Sequence, residues 1–219
     1  MTKRTYQVEC NGESRSFPTS HPFLEASASN GEVLVLAGQW PVDAALPQAA
    51  DRTAIVVELG LECLAVYVSG SPAPSNLLGF CRWRVGTSEP SDLVELVTLP
   101  ETEPSAVLAA RTMFEQAGFT VSRCEDRAGR IVDRLIRPQF NLALNAVDDG
   151  LATPDDLDTA LKLGLGYRRG LLRLVEEGGL ADHHRVTAHL FAAYGQAAYV
   201  SPRSAAAAAH RAATIEGAG

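Results

Sequence analysis

Gly150-Leu-Ala-Thr-Pro-Asp-Asp-Leu-Asp-Thr-Ala-Leu-Lys-Leu-Gly-Leu-Gly-Tyr167 contains a complete helix start. Thr153 is placed as the N-cap and Pro154 at the first helical position, and Asp155 and Asp156 meet the positive end of the helix dipole. Leu157, Ala160 and Leu161 recur at helical spacing, and Gly164 is the expected stop. Helices extend outward on both sides. Upstream, Ile131, Val132, Leu135, Ile136, Phe140, Leu142, Leu144 and Val147 form one long apolar helix, with a kink expected at Pro138 and an end at Asp148-Asp-Gly150. Downstream, Leu171, Leu172, Leu174 and Val175 mark a helix closed by Gly178-Gly179. Val186, Leu190, Phe191 and Tyr194 mark another closed by Gly195, and Ser201-Pro202 opens an Ala-rich helix over Ala205–Ala213.

The chain changes character near residue 100. Before it, short β-like runs rich in Val, Leu and aromatics are bounded by Gly, Pro, Ser and Asn: Tyr6–Cys10, Val33–Ala37, Ala54–Leu59, Cys63–Val68, Leu77–Val85 and Leu93–Leu99. Gly12–Asn30 reads as a long loop or a frayed arm. Parallel strands need crossover helices. Val42–Asp51 is the one candidate there, and Pro47 interrupts it. Pro104–Ala117 is a helix stopped by Gly118, followed by a short strand, Phe119–Ser122. The expected architecture is an α/β N-terminal domain, residues 1–123, with a reduced sheet, followed by an all-α domain, residues 124–219.

Length and charge limit the function classes. The 219 residues suffice for one large domain or two small ones. With 26 acidic against 19 basic residues the net charge is −7, which disfavours nucleic acid as a general partner. No apolar run approaches the length of a membrane span, and the first residues lack an apolar signal core, so a cytoplasmic protein is expected. The four cysteines, Cys10, Cys63, Cys81 and Cys124, form no CxxC pair and read as free thiols.

Three stretches carry a family resemblance: Gly129-Arg-Ile-Val-Asp-Arg-Leu-Ile-Arg-Pro-Gln-Phe-Asn141, the Gly150–Tyr167 run, and Leu190-Phe-Ala-Ala-Tyr-Gly-Gln-Ala-Ala-Tyr199 leading to Ser201-Pro202. In order and spacing they resemble the C-terminal domain of the L-3-hydroxyacyl-CoA dehydrogenase family, over about residues 92 to 212. The resemblance implies a Rossmann domain that binds NAD. It also implies a helical domain that dimerises and closes over the acyl-CoA. The implied chemistry is hydride transfer, with a His–Glu pair taking the hydroxyl proton and a Ser and an Asn positioning the oxygen.

Several of those parts are altered. The dinucleotide fingerprint Gly-x-Gly-x-x-Gly is absent. Its nearest candidate, Val33-Leu-Val-Leu-Ala-Gly-Gln-Trp-Pro41, puts bulky Trp40 and Pro41 after one glycine. Asp51 and Glu58 are available as ribose ligands but have no glycine loop to accompany them. We therefore expect no ordered NAD site; NAD returns only if the chain is an active dehydrogenase. Gly79-Phe-Cys-Arg-Trp-Arg-Val-Gly86 stands where the catalytic His is expected, so Cys81, or Trp83 with another gap placement, replaces it. Glu95 matches the orienting Glu but is left with nothing to orient. Asp133 stands at the family Asn and, unless protonated, cannot donate; alternatively it pairs with Arg137 or Arg130 on the helix surface. Ser69, Ser71 and Ser75 compete for the family Ser, with Ser71 preferred. Asn141 matches a family Asn.

Arg130, Arg134 and Arg137 fall on one helical stripe, and Arg168 and Arg169 form a second cluster with Arg173. With Asn141 they are the candidates for holding an acyl-CoA, against a solvated face paired with Glu125, Asp126 and Asp133. His183, His184 and His189 read as solvated helix positions, and no metal site is expected. The functional expectation is a family member without catalysis, binding an acyl-CoA or a full-length dehydrogenase paralogue in fatty-acid metabolism. The alternatives are an active NAD-dependent 3-hydroxybutyryl-CoA dehydrogenase with a rearranged site, and a ligand-free structural homodimer. A long helix apolar nearly all round predicts a homodimer through the C-terminal helices, with Phe140 and Leu144 at the interface.

Overall fold

A computed structural model describes residues 4–42, 51–68 and 73–216. The chain divides into two compact units, one of residues 1–83 and 90–130 and the other of residues 84–89 and 131–219. The boundary expected at 123/124 falls inside a strand.

The first unit is built on a six-stranded sheet: β1 (Tyr6–Asn11), β2 (Val33–Gly38), β3 (Ala54–Glu58), β4 (Leu77–Arg82), β5 (Leu93–Thr98) and β6 (Thr120–Glu125). Spatial order follows chain order, β1-β2-β3-β4-β5-β6. All neighbours are parallel except β4 and β5, which are antiparallel. The central strands are apolar on both faces because both faces are covered. Tyr6, Val33, Val35, Val56, Leu78, Phe80, Val94 and Leu96 pack beneath helix α2 (Pro104–Gln116), with Phe17, Phe23 and Phe119. Leu34, Leu36, Ile55, Val57 and Val97 face the other way, against Leu59, Leu64 and Tyr67.

Two expectations are corrected here. Cys63–Val68 is not a strand. Residues Leu64–Tyr67 form a 3-10 turn, whose first amides, of Leu64 and Ala65, donate to the Asp126 carboxylate at 2.7 and 2.9 Å. A short apolar run carries no period that separates strand from helix, and the deciding carboxylate is 62 residues away. Nor is Gly12–Asn30 a frayed arm. It carries a one-turn helix, α1 (Pro22–Glu25), and buries Phe17 and Phe23 in a stack with Tyr6, Phe114 and Phe119. Most of Val42–Asp51 lies outside the described residues.

The second unit contains α3 (Val132–Asp148), α4 (Pro154–Leu165), α5 (Leu171–Gly178), α6 (Leu180–Tyr194) and α7 (Arg203–Glu216). Thr153 caps α4 by accepting from the Asp156 amide, as its sequence predicts. The helix passes through Gly164 and ends at Gly166, which takes the left-handed conformation with φ 74°. Asp158 accepts from the amides of Leu172 and Arg173 and caps α5 from within the unit. The long helix α3 is not buried all round: Phe140, Ala143 and Leu144 face inward, while Leu135 and Leu142 are 63% and 74% exposed. Phe140 and Leu144 are thus core residues of their own chain rather than interface residues.

Candidate functional site

In the sheet unit, antiparallel pairing sets Cys81 of β4 directly opposite Glu95 of β5. Trp83 lies beyond the end of β4, so Cys81 is the residue that faces Glu95. Glu95 is buried, 2% exposed. It is far from idle. The Cys81 thiol donates to its Oε2 at 3.4 Å, and Arg130 Nε stands 3.8 Å from the same oxygen. Arg130 also donates to the Gly60 carbonyl at 2.8 Å. Gly129 and Arg130 take φ of 73° and 49°, and positive φ is costly for an arginine. The Glu95 pair and the Gly60 bond hold Arg130 in that conformation, burying its guanidinium beside the strand. The expectation that Arg130 lies on a helix stripe facing a ligand is therefore corrected. It precedes α3 and belongs to the sheet.

The other three thiols are all raised above the ordinary cysteine range. Burial, reinforced by Glu95, pushes Cys124 up to about 11, and burial and Asp126 raise Cys63. Burial also raises Cys10, helped by Glu58.

At the carboxyl ends of β1–β3 a second carboxylate is buried. Glu58 Oε1 accepts from the Ser16 amide at 2.6 Å, and Oε2 accepts from the Gly38 amide at 2.6 Å and the Ser14 hydroxyl at 2.7 Å. Gly38 has φ 91°, and a Cβ there would run into the Asn11 carbonyl oxygen, so this position requires glycine. The Trp40 indole turns back to donate to the Ala37 carbonyl at 3.1 Å and packs against the sheet.

The helical unit encloses a polar network. Arg137, fully buried, donates to Asp133 Oδ1 at 2.8 Å, and its Nη1 lies 3.1 Å from His183 Nδ1. Asn141 donates from Nδ2 to Thr187 Oγ1 and to the Ala198 carbonyl, which leaves its Oδ1 to face His183 Nε2 at 2.8 Å. That contact requires the proton on Nε2, so Nδ1 is the acceptor for Arg137. Burial, then the Arg137 charge, holds the imidazole down at about 3. Asp133 does pair with Arg137, but inside the fold rather than on its surface.

Most of the side chains expected to hold a ligand have partners within the protein. Arg137 and Asn141 are consumed by this network. Arg134 stacks its guanidinium 4.5 Å over the Tyr194 ring, and Arg169 pairs with Glu177. Arg168 is exposed. Ser71 and Ser69 lie outside the described residues, and Ser75 donates to Glu103. His183 is a buried core residue, not a solvated one. Its signal was its spacing: Val186, Thr187 and Leu190 follow at three, four and seven residues on the buried face of α6. Glu58 lacked any such signal, because its partners come from distant turns. No group of His, Cys, Asp and Glu able to hold a metal occurs among the described residues. No described helix is long and apolar enough to cross a membrane.

Comparison with known proteins accounts for the helical geometry. A family pattern described as 3-hydroxyacyl-CoA dehydrogenase, C-terminal domain, matches residues 129–216. Residues 129–216 thus resemble the C-terminal domain of 3-hydroxyacyl-CoA dehydrogenases. A 3-hydroxybutyryl-CoA dehydrogenase of Mycobacterium tuberculosis is 34% identical over 111 residues, covering 50% of this chain and 39% of that enzyme. The mitochondrial hydroxyacyl-coenzyme A dehydrogenase of Homo sapiens is 34% identical over 88 residues, 40% of this chain and 28% of that protein. The match thus spans well under half of these relatives' length. The crystal structure of M. tuberculosis FadB2 superposes with a TM-score of 0.71 at 22% identity, covering 84% of this chain and 67% of that one. The likeness in fold therefore reaches well beyond the helical domain, into the sheet unit.

Proposed function

We propose that this chain is a non-catalytic member of the 3-hydroxyacyl-CoA dehydrogenase family, acting as a partner or assembly subunit in acyl-CoA metabolism. The observation that carries the reading is Cys81 opposite Glu95. An imidazole nitrogen accepts a proton from a substrate hydroxyl. A thiol that itself donates to Glu95 does not. Loss of general-base catalysis alone costs about 10²–10⁴-fold in rate.

The residues at the carboxyl edge of the sheet do not fit a dinucleotide. Dinucleotides bind where strand order reverses, and here order never reverses among the described strands. The amides at that edge are spent on Glu58. Arg130, Arg134, Arg137 and Arg169 are engaged within the protein, which favours the partner role over acyl-CoA binding. Exposed Leu135 and Leu142 on α3 supply an apolar face for a second copy of the chain, a homodimer, or for a full-length paralogue.

The test is an assay of hydride transfer from 3-hydroxybutyryl-CoA to NAD, with titration of NADH by its fluorescence. No turnover above background and no saturable micromolar binding are expected. Turnover that disappears in Glu95→Gln would overturn the reading and establish an NAD-dependent dehydrogenase with a rearranged site.

A further inference from the structure

Three donors converge on one carboxylate at the carboxyl edge of the sheet. Ser14 and Ser16 lie in the turn that leaves β1, and Gly38 is the last residue of β2. Backbone amides that converge on one point make an anion-binding concavity. Here the anion is part of the chain: Glu58, the last residue of β3, which is 3% exposed. We propose that the Glu58 side chain is a built-in occupant of an oxyanion site, and that it keeps phosphate-bearing ligands off this edge of the sheet. The inference deepens the reading that no dinucleotide is held, and it stands on the geometry of this cluster alone.

The donors are fixed independently of Glu58. Gly38 is held in its left-handed conformation at the end of β2, where the Gln39 amide donates to the Asn11 carbonyl at 2.7 Å. Ser16 is tied down from the other side: its hydroxyl accepts from the Arg82 amide at 3.1 Å, and its carbonyl accepts from the Arg82 guanidinium at 2.9 Å. Removing the Glu58 carboxylate therefore leaves amides that still point at a vacated anion position. An amide side chain is no substitute. In Glu58→Gln the NH2 group must face either the Ser16 or the Gly38 amide, and both are donors.

The experiment titrates inorganic pyrophosphate into the wild type and into Glu58→Ala, following the backbone amide resonances of Ser16 and Gly38. Saturable shifts at both amides are expected in Glu58→Ala, with affinity about tenfold or more above anything at those amides in the wild type. Equal shifts in the wild type would show that Glu58 does not fill the site. A folded Glu58→Ala without shifts would show that there is no site. Should Glu58→Ala fail to fold, refolding with formate decides: recovery supports an anion-requiring site, and no recovery with formate or pyrophosphate overturns it. Wild-type turnover with NAD would sink the proposed function, yet the amide shifts would still report on Glu58.

Discussion

Each half of the chain buries charge, and each satisfies it differently. In the sheet unit, buried charges bond mainly to the backbone. Glu58 accepts from the Ser16 and Gly38 amides, Arg82 donates to the carbonyls of Ser16, Pro90 and Ser91, and Arg130 donates to that of Gly60. In the helical unit, Asp133, Arg137, His183, Asn141 and Thr187 bond mainly to one another. The reason is local. Helices consume their own amides and carbonyls except at their ends, so a buried side chain at mid-helix finds another side chain, whereas Asp158 meets the free amides at the start of α5. Turns at a sheet edge leave amides and carbonyls free to be claimed. Damage in the sheet should therefore strand fixed backbone groups at its rim, whereas damage among the helices should strand charged side chains in a dry core.

The largest effect is expected from Arg137→Met. It leaves Asp133 buried without its 2.8 Å partner, and breaking such a pair costs about 3–5 kcal/mol. Urea denaturation reads it directly. The double variant Asp133→Asn with Arg137→Met should be less damaged than Arg137→Met alone, because the buried charge that lost its guanidinium is then gone. Arg82→Met should cost less, about 1–3 kcal/mol. Its guanidinium also sits between the Phe17 and Phe119 rings, but two of the carbonyls it leaves, on Pro90 and Ser91, lie in a connecting segment. An Arg82→Met loss larger than that of Arg137→Met would break the contrast.

The contrast also predicts where stability responds to pH. His183 is held neutral down to about pH 3, whereas the unfolded chain takes up the proton near pH 6.5. Between those values the unfolded state binds more protons, so this contribution is full above pH 6.5 and is lost as pH falls toward 3. The slope approaches about 1.4 kcal/mol per pH unit in mid-window. Chemical denaturation at pH 7 and pH 5, compared with His183→Gln, isolates it. A slope unchanged in His183→Gln would mean that carboxylates elsewhere account for the acid response.

The helical unit was more legible in sequence than the sheet unit. Its helices carry their own punctuation: Thr153-Pro154 opens α4, and Gly179 and Gly195 close α5 and α6. Five of the six strands showed as apolar runs before residue 100, and the sixth as Phe119–Ser122. What sequence could not supply was long-range pairing. Asp126 converts an apparent strand into a turn, and Glu58 gathers donors 20 to 44 residues away. Arg137 and Asn141 look like ligand residues because charge and amide are chemically versatile, and only packing shows that they face His183. The Cys81–Glu95 juxtaposition was half visible: both residues stood out, but the strand register had to choose between Cys81 and Trp83.

The smallest effect on the fold is expected on the outer face of α3, where the two sides of one helix restate the contrast. Leu135 and Leu142 are seven residues apart and exposed, whereas Phe140 is buried, edge-on to the His183 ring at 5.6 Å. Leu142→Arg should therefore change the stability of the isolated chain by no more than about 0.5 kcal/mol, as exposed substitutions do. Phe140→Arg should unfold the helical unit, because it buries an unpaired charge. The informative readout for Leu142→Arg is mass. If α3 seats a second copy, light scattering gives twice 23.3 kDa for the wild type, and Leu142→Arg or Leu135→Arg returns it to 23.3 kDa with its helical circular dichroism intact. A wild type already at 23.3 kDa at micromolar concentration removes the homodimer. A mass still doubled in both variants places the contact on another face.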